Sequence, residues 1–242
     1  MDFDLSGKVS LVTGASRGVG RAIALKLAEV GAETALLARS TEALKELAEQ
    51  IQSAGGRAEC FPCDASEADA IEAAVADVRR KMGRIDILVN NAAIFSNKPI
   101  VDLPLSEWEH VMRVNLTSVF VFCRAVWPAM IAAGSGVIVN IGSNAGKQGY
   151  AHQSVYCASK HGLAGFAKVL ALEGAEHHIR VHTLCPGGVR TGFAEGTGLA
   201  DRLEGQVLIE PENLADLCLF LIAQPPNVDI QEVVVRRGFR SG

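Results

Sequence analysis

The stretch that decides the fold is Thr13-Gly14-Ala15-Ser16-Arg17-Gly18-Val19-Gly20. It follows a short apolar run, Val9–Val12, and opens into a helical pattern over Gly18–Val30. Glycines at such a turn allow a tight bend, close approach of backbone to a pyrophosphate, and an anion at the helix N-terminus. The spacing is Gly-x-x-x-Gly-x-Gly rather than the commoner Gly-x-Gly-x-x-Gly. Its position between a strand and a helix predicts a dinucleotide-binding site.

The same alternation of strand and helix continues along the chain. Predicted strands are Val9–Val12, Thr34–Ala38, Arg57–Pro62, Ile85–Asn90, Gly136–Ile141, Arg180–Leu184 and Val233–Arg236. Predicted helices are Gly18–Val30, Thr41–Ala54, Glu67–Met82, Ser106–Ala133, Ser154–His177 and Pro211–Ala223. Nearly continuous apolar strands are typical of a parallel sheet that is covered on both faces. The pattern predicts one α/β domain over residues 1–242, a doubly wound (Rossmann-type) parallel sheet of about seven strands.

Composition limits the partners. The chain has 242 residues, 49% of them hydrophobic, and a net charge of −4, so no global field favours nucleic acid or an anionic membrane. The start has neither a basic leader nor an apolar signal segment, and no apolar run approaches the roughly 20 residues of a membrane span. We expect a soluble cytoplasmic protein that acts on a small molecule.

The six cysteines and six histidines do not predict a metal or redox site. Cys60-Phe-Pro-Cys63 has the spacing of a redox pair, but it ends at Asp64 rather than at a helix start, where a thiolate would be stabilised. Buried free thiols are expected instead, and the histidines show no metal-ligand spacing.

Tyr156 and Lys160 lie four residues apart in a helical pattern, and Ser143 precedes Tyr156 by thirteen residues. The i, i+4 spacing puts a phenol and an ammonium on one helical face. A positive charge about 4 Å away can lower the phenol pKa by up to about three units, making Tyr156 a usable acid or base near neutrality. Alone, Tyr156 and Lys160 could also be an ordinary exposed i, i+4 pair on a helix surface. Together with the glycine loop, the pair indicates carbonyl chemistry.

These motifs together resemble the short-chain dehydrogenase/reductase family over nearly the whole chain. Further segments match the family in order: Asp64, Asn90-Asn91-Ala92-Ala93 (with Ala93 in place of glycine), Asn115, and Pro186-Gly187-Gly188-Val189-Arg190-Thr191. The resemblance implies that Ser143 binds the substrate carbonyl, Tyr156 transfers the proton, Lys160 lowers the tyrosine pKa and holds the nicotinamide ribose, and Asn115 positions a water. Asn90 and Asn91 are also expected to tie strand backbones together. The family resemblance further implies cofactor contacts from Gly14, Ser16, Arg17, Gly18, Val19, Gly20, Arg39, Ser40, Asp64, Ala65, Asn91, Ala92, Ala93, Tyr156, Lys160, Pro186, Gly187, Val189 and Thr191.

Charge near the end of the second strand predicts which dinucleotide binds. An NAD site usually has an acid there for the ribose hydroxyls. This chain reads Leu37-Ala38-Arg39-Ser40, with no acid between Glu33 and Glu42. Arg39, Arg17 and the Ser40 hydroxyl can pair with a 2′-phosphate, so NADP(H) is predicted.

Two other functions use the same motifs. Sugar-nucleotide epimerases need an additional C-terminal substrate domain, but fewer than sixty residues follow Pro186. A regulator that binds NADP without turnover typically loses the tyrosine or lysine, and this chain keeps both. The expected activity is therefore NADP(H)-dependent interconversion of a ketone or aldehyde and an alcohol.

The substrate is less well defined. The pocket is expected to include Ile94, Phe95, residues Asn144–Gln153, and a loop at 191–210 whose four glycines and lack of periodicity indicate a lid. The body of the chain resembles 3-oxoacyl-carrier-protein reductases. The ending from Val228 departs from their glycine-rich ending and looks more like members that act on small hydroxy acids or alcohols.

The two longest helical patterns predict assembly. In Ser154–His177, one side carries Val155, Gly162, Leu163, Phe166 and Leu170, and another carries Ala158, Gly165, Val169 and Leu172. The pattern Ser106–Ala133 is apolar around much of its circumference. A helix that is apolar beyond its core-facing stripe implies a further buried contact. We expect a homodimer or homotetramer, the alternative being two helices deep in a monomer core.

Overall fold

The computed structural model describes residues 3–199 and 205–238. Within them, the strands are β1 (Val9–Thr13), β2 (Glu33–Ala38), β3 (Arg57–Pro62), β4 (Ile87–Asn90), β5 (Gly136–Ile141), β6 (Ile179–Pro186) and β7 (Glu232–Val235). They form one parallel sheet in the order β3-β2-β1-β4-β5-β6-β7. The predicted doubly wound parallel sheet is confirmed.

Helices cover both faces of this sheet. They are α1 (Gly18–Glu29), α2 (Thr41–Ser53), α3 (Ala68–Met82), α4 (Leu105–Met112), α5 (Ser118–Ala133), α6 (Ser154–Ala175) and α7 (Pro211–Ile222). One apolar cluster joins α1, α2 and α7 to one face, and a second joins α3, α5 and α6 to the other. Strands buried on both sides need apolar residues at successive positions, which explains their continuous hydrophobic runs.

The order of the strands reverses direction at β1. From β1 the chain proceeds outward to β2 and β3, then returns to place β4 on the other side of β1. In open α/β sheets such a reversal leaves a crevice at the carboxyl ends of the strands. The glycine loop, which follows β1, opens onto this crevice.

The predicted helix Ser106–Ala133 differs most from the structure. It begins at Leu105, and a π-helical turn, Arg113–Thr117, interrupts it between α4 and α5. Such turns insert a residue locally and occur often at functional sites. The turn contains Asn115, whose side chain bonds to the chain after β4.

The other boundaries shift by a few residues. Helix α6 ends at Ala175 rather than His177, because His178 adopts a left-handed φ of 57° before β6. Strand β4 begins at Ile87 rather than Ile85, and just before it the Asp86 carboxylate accepts a bond from the Val9 N–H at 2.9 Å.

Within the helical stretch Leu105–Ala133, an 18-residue window has a mean hydropathy of 1.6, enough by length and composition alone to span a membrane. Buried core helices of folded proteins meet the same criterion. Phe122, Val126 and Met130 from this stretch pack in the core beneath the sheet. Its apolar composition thus serves the protein core on one side.

An apolar strip remains on the other side of α5 and α6. Phe120 is 44% exposed and contacts Phe166, while Val169 and Leu172 on α6 are 51% and 72% exposed. Val155 and Leu163, which share α6, are almost fully buried. The helix therefore has the two apolar sides predicted from its sequence, of which only one packs within the subunit.

Candidate active site

A cavity of about 1620 Å³ lies at the carboxyl ends of the strands. It exceeds the usual 300–1,000 Å³ of a small-ligand pocket and has room for a dinucleotide beside a substrate. All the predicted cofactor residues except Gly20 line it, as do Ser143, Tyr156 and Lys160. Asn115 is buried outside the lining. The fold thus gathers residues from seven separate segments into one site.

The glycine loop is shaped for an anion. Gly14 and Gly18 have φ values of 64° and 55°, which side chains rarely tolerate. Gly20 lies so close to the Gly14 carbonyl and the Asn91 side chain that a Cβ would collide with both. Helix α1 starts at Gly18 with no side-chain cap from Arg17. Its first N–H groups are available to a pyrophosphate, so the loop fits a dinucleotide.

Asn90 and Asn91 tie the strand ends together, as expected. The Asn91 amide donates to the carbonyls of Thr13 at 2.9 Å and Gly14 at 3.2 Å, and Asn90 donates to Asn140 at 2.9 Å. Asn91 thereby fixes the first turn of the glycine loop against the end of β4.

The adenosine end of the cavity carries two arginines. Arg17 and Arg39 are exposed, and among the described residues neither forms an ion pair with a carboxylate. The Ser40 hydroxyl accepts a bond from the Ala43 N–H at 3.3 Å and so caps α2. The same hydroxyl donates its hydrogen to Glu42 Oε2 at 3.5 Å, which leaves the two guanidinium groups as the main partners for a 2′-phosphate.

Asp64 lies in the same part of the cavity. Its carboxylate accepts a bond from the Ser66 N–H at 2.8 Å. This bond, together with the charge of nearby Arg39, holds the pKa of Asp64 below its ordinary value. The group is an ionised acceptor at neutral pH.

Helix α6 carries the reactive pair toward Ser143. Tyr156 and Lys160 are only 8% and 4% exposed, on the face that packs against the turn after β5. Gly146 in this turn allows close packing, since a Cβ there would meet the Lys160 carbonyl oxygen at 2.7 Å. The Lys160 ammonium donates to the Ile141 carbonyl at 2.8 Å and lies 5.8 Å from the centre of the tyrosine ring.

Burial controls the protonation of this pair. It raises the pKa of Tyr156 to about 12, against the lowering effect of a hydrogen bond with Ser143. It lowers the pKa of Lys160 to about 8. In the protein alone the tyrosine pKa therefore moves opposite to the direction that the i, i+4 spacing predicts, because burial removes the phenol from water and so disfavours its ionised form.

Asn115 holds the backbone rather than facing the cavity. Its Oδ1 accepts from the Ile94 N–H at 2.8 Å, and its Nδ2 donates to the Ile94 carbonyl at 2.9 Å and Ser159 Oγ at 3.2 Å. The side-chain amide fixes the loop after β4 to α6. A water relay at this residue, which the family resemblance implies, would have to involve the main chain of the π-helical turn.

Two aromatic rings, those of Phe95 and Phe193, lie beside the Tyr156 ring. The ring of Phe95 meets that of Tyr156 edge-on with centroids 4.9 Å apart, and Phe193 lies 6.0 Å from Tyr156 and 5.9 Å from Phe95. The segment carrying Phe193 is joined to the loop after β4 by a 2.8 Å bond from Asn97 Nδ2 to the Thr197 carbonyl. In the predicted lid, Phe193 thus lies beside Tyr156, and Gly205, Gln206 and Leu208 line the same cavity; residues 200–204 are outside the described range.

Sequence reasoning missed Arg237, which follows β7 and lines the cavity. The signal was available, because the carboxyl ends of parallel strands meet at one edge of the sheet and β7 is the last strand. Cys63 lines the cavity next to Asp64, and both Cys60 and Cys63 are free thiols; burial raises the pKa of Cys63 to about 11, the opposite of a reactive thiolate.

The chain belongs to the short-chain dehydrogenase family, which it matches over residues 8–201. It is therefore a member of a family of oxidoreductases. It is 41% identical to D-threitol dehydrogenase of Mycolicibacterium smegmatis, over 78% of this chain and 73% of the relative. It is also 35% identical to a 3-oxoacyl-acyl-carrier-protein reductase of Aquifex aeolicus, over 97% of each chain.

Solved structures agree with this assignment. A metagenomic short-chain oxidoreductase in complex with NADP is 40% identical, with a TM-score of 0.86 over 98% of this chain and 99% of that one. A short-chain dehydrogenase/reductase from Mycobacterium marinum is 35% identical, with a TM-score of 0.91 over 100% and 98%.

Proposed function

We propose that this protein uses NADP(H) to interconvert a ketone or aldehyde and the corresponding alcohol. The observation that carries the proposal is that Ser143, Tyr156 and Lys160 line the same cavity as the glycine loop. A dinucleotide lying along that cavity would extend from the loop towards the three side chains. When bound, it supplies the hydride that adds to the carbonyl carbon.

Binding of NADP(H) rather than NAD(H) is supported by charge. Arg17 and Arg39 lie at the adenosine end without carboxylate partners among the described residues, and a guanidinium binds a phosphate through paired, charge-assisted bonds. The related metagenomic oxidoreductase was solved with NADP.

The proton for the alcohol oxygen comes from Tyr156. A pKa of about 12 keeps the phenol protonated at neutral pH, so it is ready to donate when a carbonyl is reduced. Ser143 lines the cavity beside this phenol, lowers its pKa, and can share the substrate oxygen with it. Lys160 lies beneath the ring, where its charge stabilises negative charge that develops on the phenol oxygen.

The substrate end favours a carbonyl with an apolar substituent. Phe95 and Phe193 flank Tyr156, so the atoms next to a bound carbonyl would contact aromatic surface. We propose that the segment 191–210 acts as a lid and that Phe193 is its contact with the substrate. The named relatives reduce or oxidise both polyols and acyl chains, so either a small molecule or a carrier-bound one is compatible with their names.

We further propose a homodimer or homotetramer that buries the strip formed by Phe120, Phe166, Val169 and Leu172. A surface strip of large apolar side chains on two neighbouring helices is more often an interface than free surface.

The test is NADPH oxidation with a panel of ketones and aldehydes that differ in size and polarity. Tyr156→Phe removes one hydroxyl, so folding and NADPH binding should persist while turnover falls about 100-fold or more. Phe193→Ala should raise KM most for ketones with apolar substituents. Near-normal turnover by the Phe variant would refute the assigned proton donor.

A non-catalytic NADP sensor gives a different result. In that case the wild-type protein would bind NADPH but oxidise it with none of the carbonyl compounds. Measuring NADPH binding and turnover on the same preparation therefore separates the two functions.

A further inference from the structure

Arg237 lies at the end of the cavity where the substrate is expected. A Cβ built on Gly187 would lie 3.7 Å from Arg237 Cγ and 3.6 Å from Asn144 Nδ2. Ser143, directly before Asn144, donates to Asn144 Oδ1 at 3.3 Å. The Asn144 N–H₂ group and the Arg237 stem therefore approach the same glycine surface, one residue from the proposed carbonyl-binding serine.

Two other cations, in the segments that carry Asn144 and Gly187, are neutralised. Arg190 bonds Glu210 at 2.7 Å, and Lys147 forms an ion pair with Glu232. Arg237 instead donates to the amide oxygen of Gln206, which is neutral. Among the described residues no carboxylate forms an ion pair with Arg237.

One carboxylate of the lid lies in the same cavity. Glu195 is exposed, and its oxygens lie 2.8 and 2.9 Å from the position of a Cβ on Gly192. The Glu195 carboxylate therefore lies next to Gly192 in the lid, whereas the Arg237 stem lies next to Gly187. The two side chains approach the entrance from different elements and form no ion pair with each other in the structure.

We propose that Arg237, assisted by the Asn144 amide, binds a carboxylate on the substrate, so that the enzyme acts on keto acids or hydroxy acids. This rests on the proposed carbonyl reduction and specifies its substrate class. The carboxylate lies remote from the reacting carbonyl, with apolar atoms between them against Phe95 and Phe193. A guanidinium suits this role because it offers paired donors in the geometry of a carboxylate.

The pyrophosphate of the cofactor is a less suitable partner for Arg237. The uncapped N-terminus of α1 and the glycine loop provide its site after β1. Arg237 follows β7 instead, and β7 lies three strands beyond β4 on the opposite side of the crevice. Substitution of Arg237 should therefore leave NADPH affinity unchanged.

The experiment compares 3-oxo- and 4-oxocyclohexanecarboxylate with their methyl esters, using NADPH and the whole protein. The wild type should favour at least one free acid over its ester by about 10- to 100-fold in kcat/KM, mainly through KM, since bonds to charged groups are that strong. Arg237→Gln should abolish the preference while ester reduction stays within about twofold. Arg237→Lys should restore part of it.

Controls isolate the charge. Arg236→Gln removes the neighbouring exposed arginine, which does not line the cavity, and should keep the preference. Glu195→Gln should leave or increase the preference for the acid, because a like charge is removed from the lid.

Competition by cyclohexanecarboxylate, which has no carbonyl to reduce, gives a second measurement. Its binding to the protein with NADP⁺ should weaken about 10-fold or more in Arg237→Gln. If the esters are reduced but Arg237→Gln lowers kcat/KM equally for acid and ester, the carboxylate site is overturned and the proposed carbonyl reduction is not. A parallel loss of NADPH affinity would assign Arg237 to the cofactor. If no carbonyl compound is reduced, the proposed function fails, and the binding of cyclohexanecarboxylate still tests the carboxylate site by itself.

Discussion

Replacing Arg39 tests the charge argument for NADP(H) most directly. Arg39 is exposed at the end of β2, lines the cavity, and has no ion-pair partner among the described residues. Arg39→Gln removes the charge and keeps a polar side chain. Arg39→Asp reverses the charge and supplies the acid that ribose hydroxyls bind.

The expected magnitude follows from the exposure of the site. A guanidinium about 4 Å from a phosphate of charge about −2 gains about 2 kcal/mol at the dielectric of water, the appropriate limit for an exposed pair. That corresponds to about 30-fold in kcat/KM for NADPH. Arg39→Gln should lose about this factor with NADPH and change little with NADH, and Arg39→Asp should lose roughly 1,000-fold as attraction becomes repulsion.

The assay is steady-state kcat/KM for NADPH and NADH with one ketone, at low and high salt. Salt should reduce the wild-type preference, because it screens exposed charges. Arg17→Gln should behave like Arg39→Gln, and the double variant should lose more than either. Arg79→Gln, which removes an exposed arginine of α3 that does not line the cavity, is the matched control. Equal efficiency of the wild type with NADH, or an Arg39→Asp variant that still favours NADPH, would refute the reasoning.

Two further outcomes follow from the helices and the sheet. Gly165→Glu should convert an oligomer into a species of about 25.6 kDa in sedimentation and lower activity, because α6 carries Tyr156; a Cβ at Gly165 meets nothing within 4 Å, so the subunit itself tolerates the change. Gly165→Ala should stay assembled, and a monomeric wild type would contradict the interface. His182 is fully buried, its Nδ1 bonds the Ile230 carbonyl at 2.8 Å, and its Nε2 has no partner in the described structure. Burial, assisted by the charge of Arg180 and opposed by that bond and by Asp229, lowers the pKa of His182. The unfolded chain then binds the proton more tightly, so stability is complete above pH about 6.5 and decreases below it, by up to about 1.4 kcal/mol at pH 5.5. Urea unfolding at pH 7.5 and 5.5 should show this loss in the wild type and less of it in His182→Asn; equal losses would exclude His182 as the cause.

The two sides of α6 show what helical periodicity can predict and what it cannot. Spacing alone separates Val155 and Leu163 from Val169 and Leu172, and the structure buries the first pair and exposes the second. Periodicity is a local property of the chain, so the sequence determines it. Whether a second subunit covers the exposed side depends on contacts between two chains. The oligomer therefore stays a prediction.

The sequence by itself determined the sheet, the glycine loop, and the spacing of Tyr156 and Lys160. These features depend on residues near one another in the chain: alternating apolar runs, glycines that permit a left-handed φ, and an i, i+4 helical face. The order of the motifs then identified the family.

Only the tertiary structure decided the chemistry around those residues. The sequence suggested that Lys160 lowers the pKa of Tyr156, but burial raises it, and burial depends on every element packed around the phenol. Asn115 interrupts its helix because its amide binds Ile94, twenty-one residues away in the chain. Arg237 reaches the cavity because β7 completes the sheet beside β6. Contacts between residues far apart in the chain arise from packing, which local patterns in a single sequence do not specify.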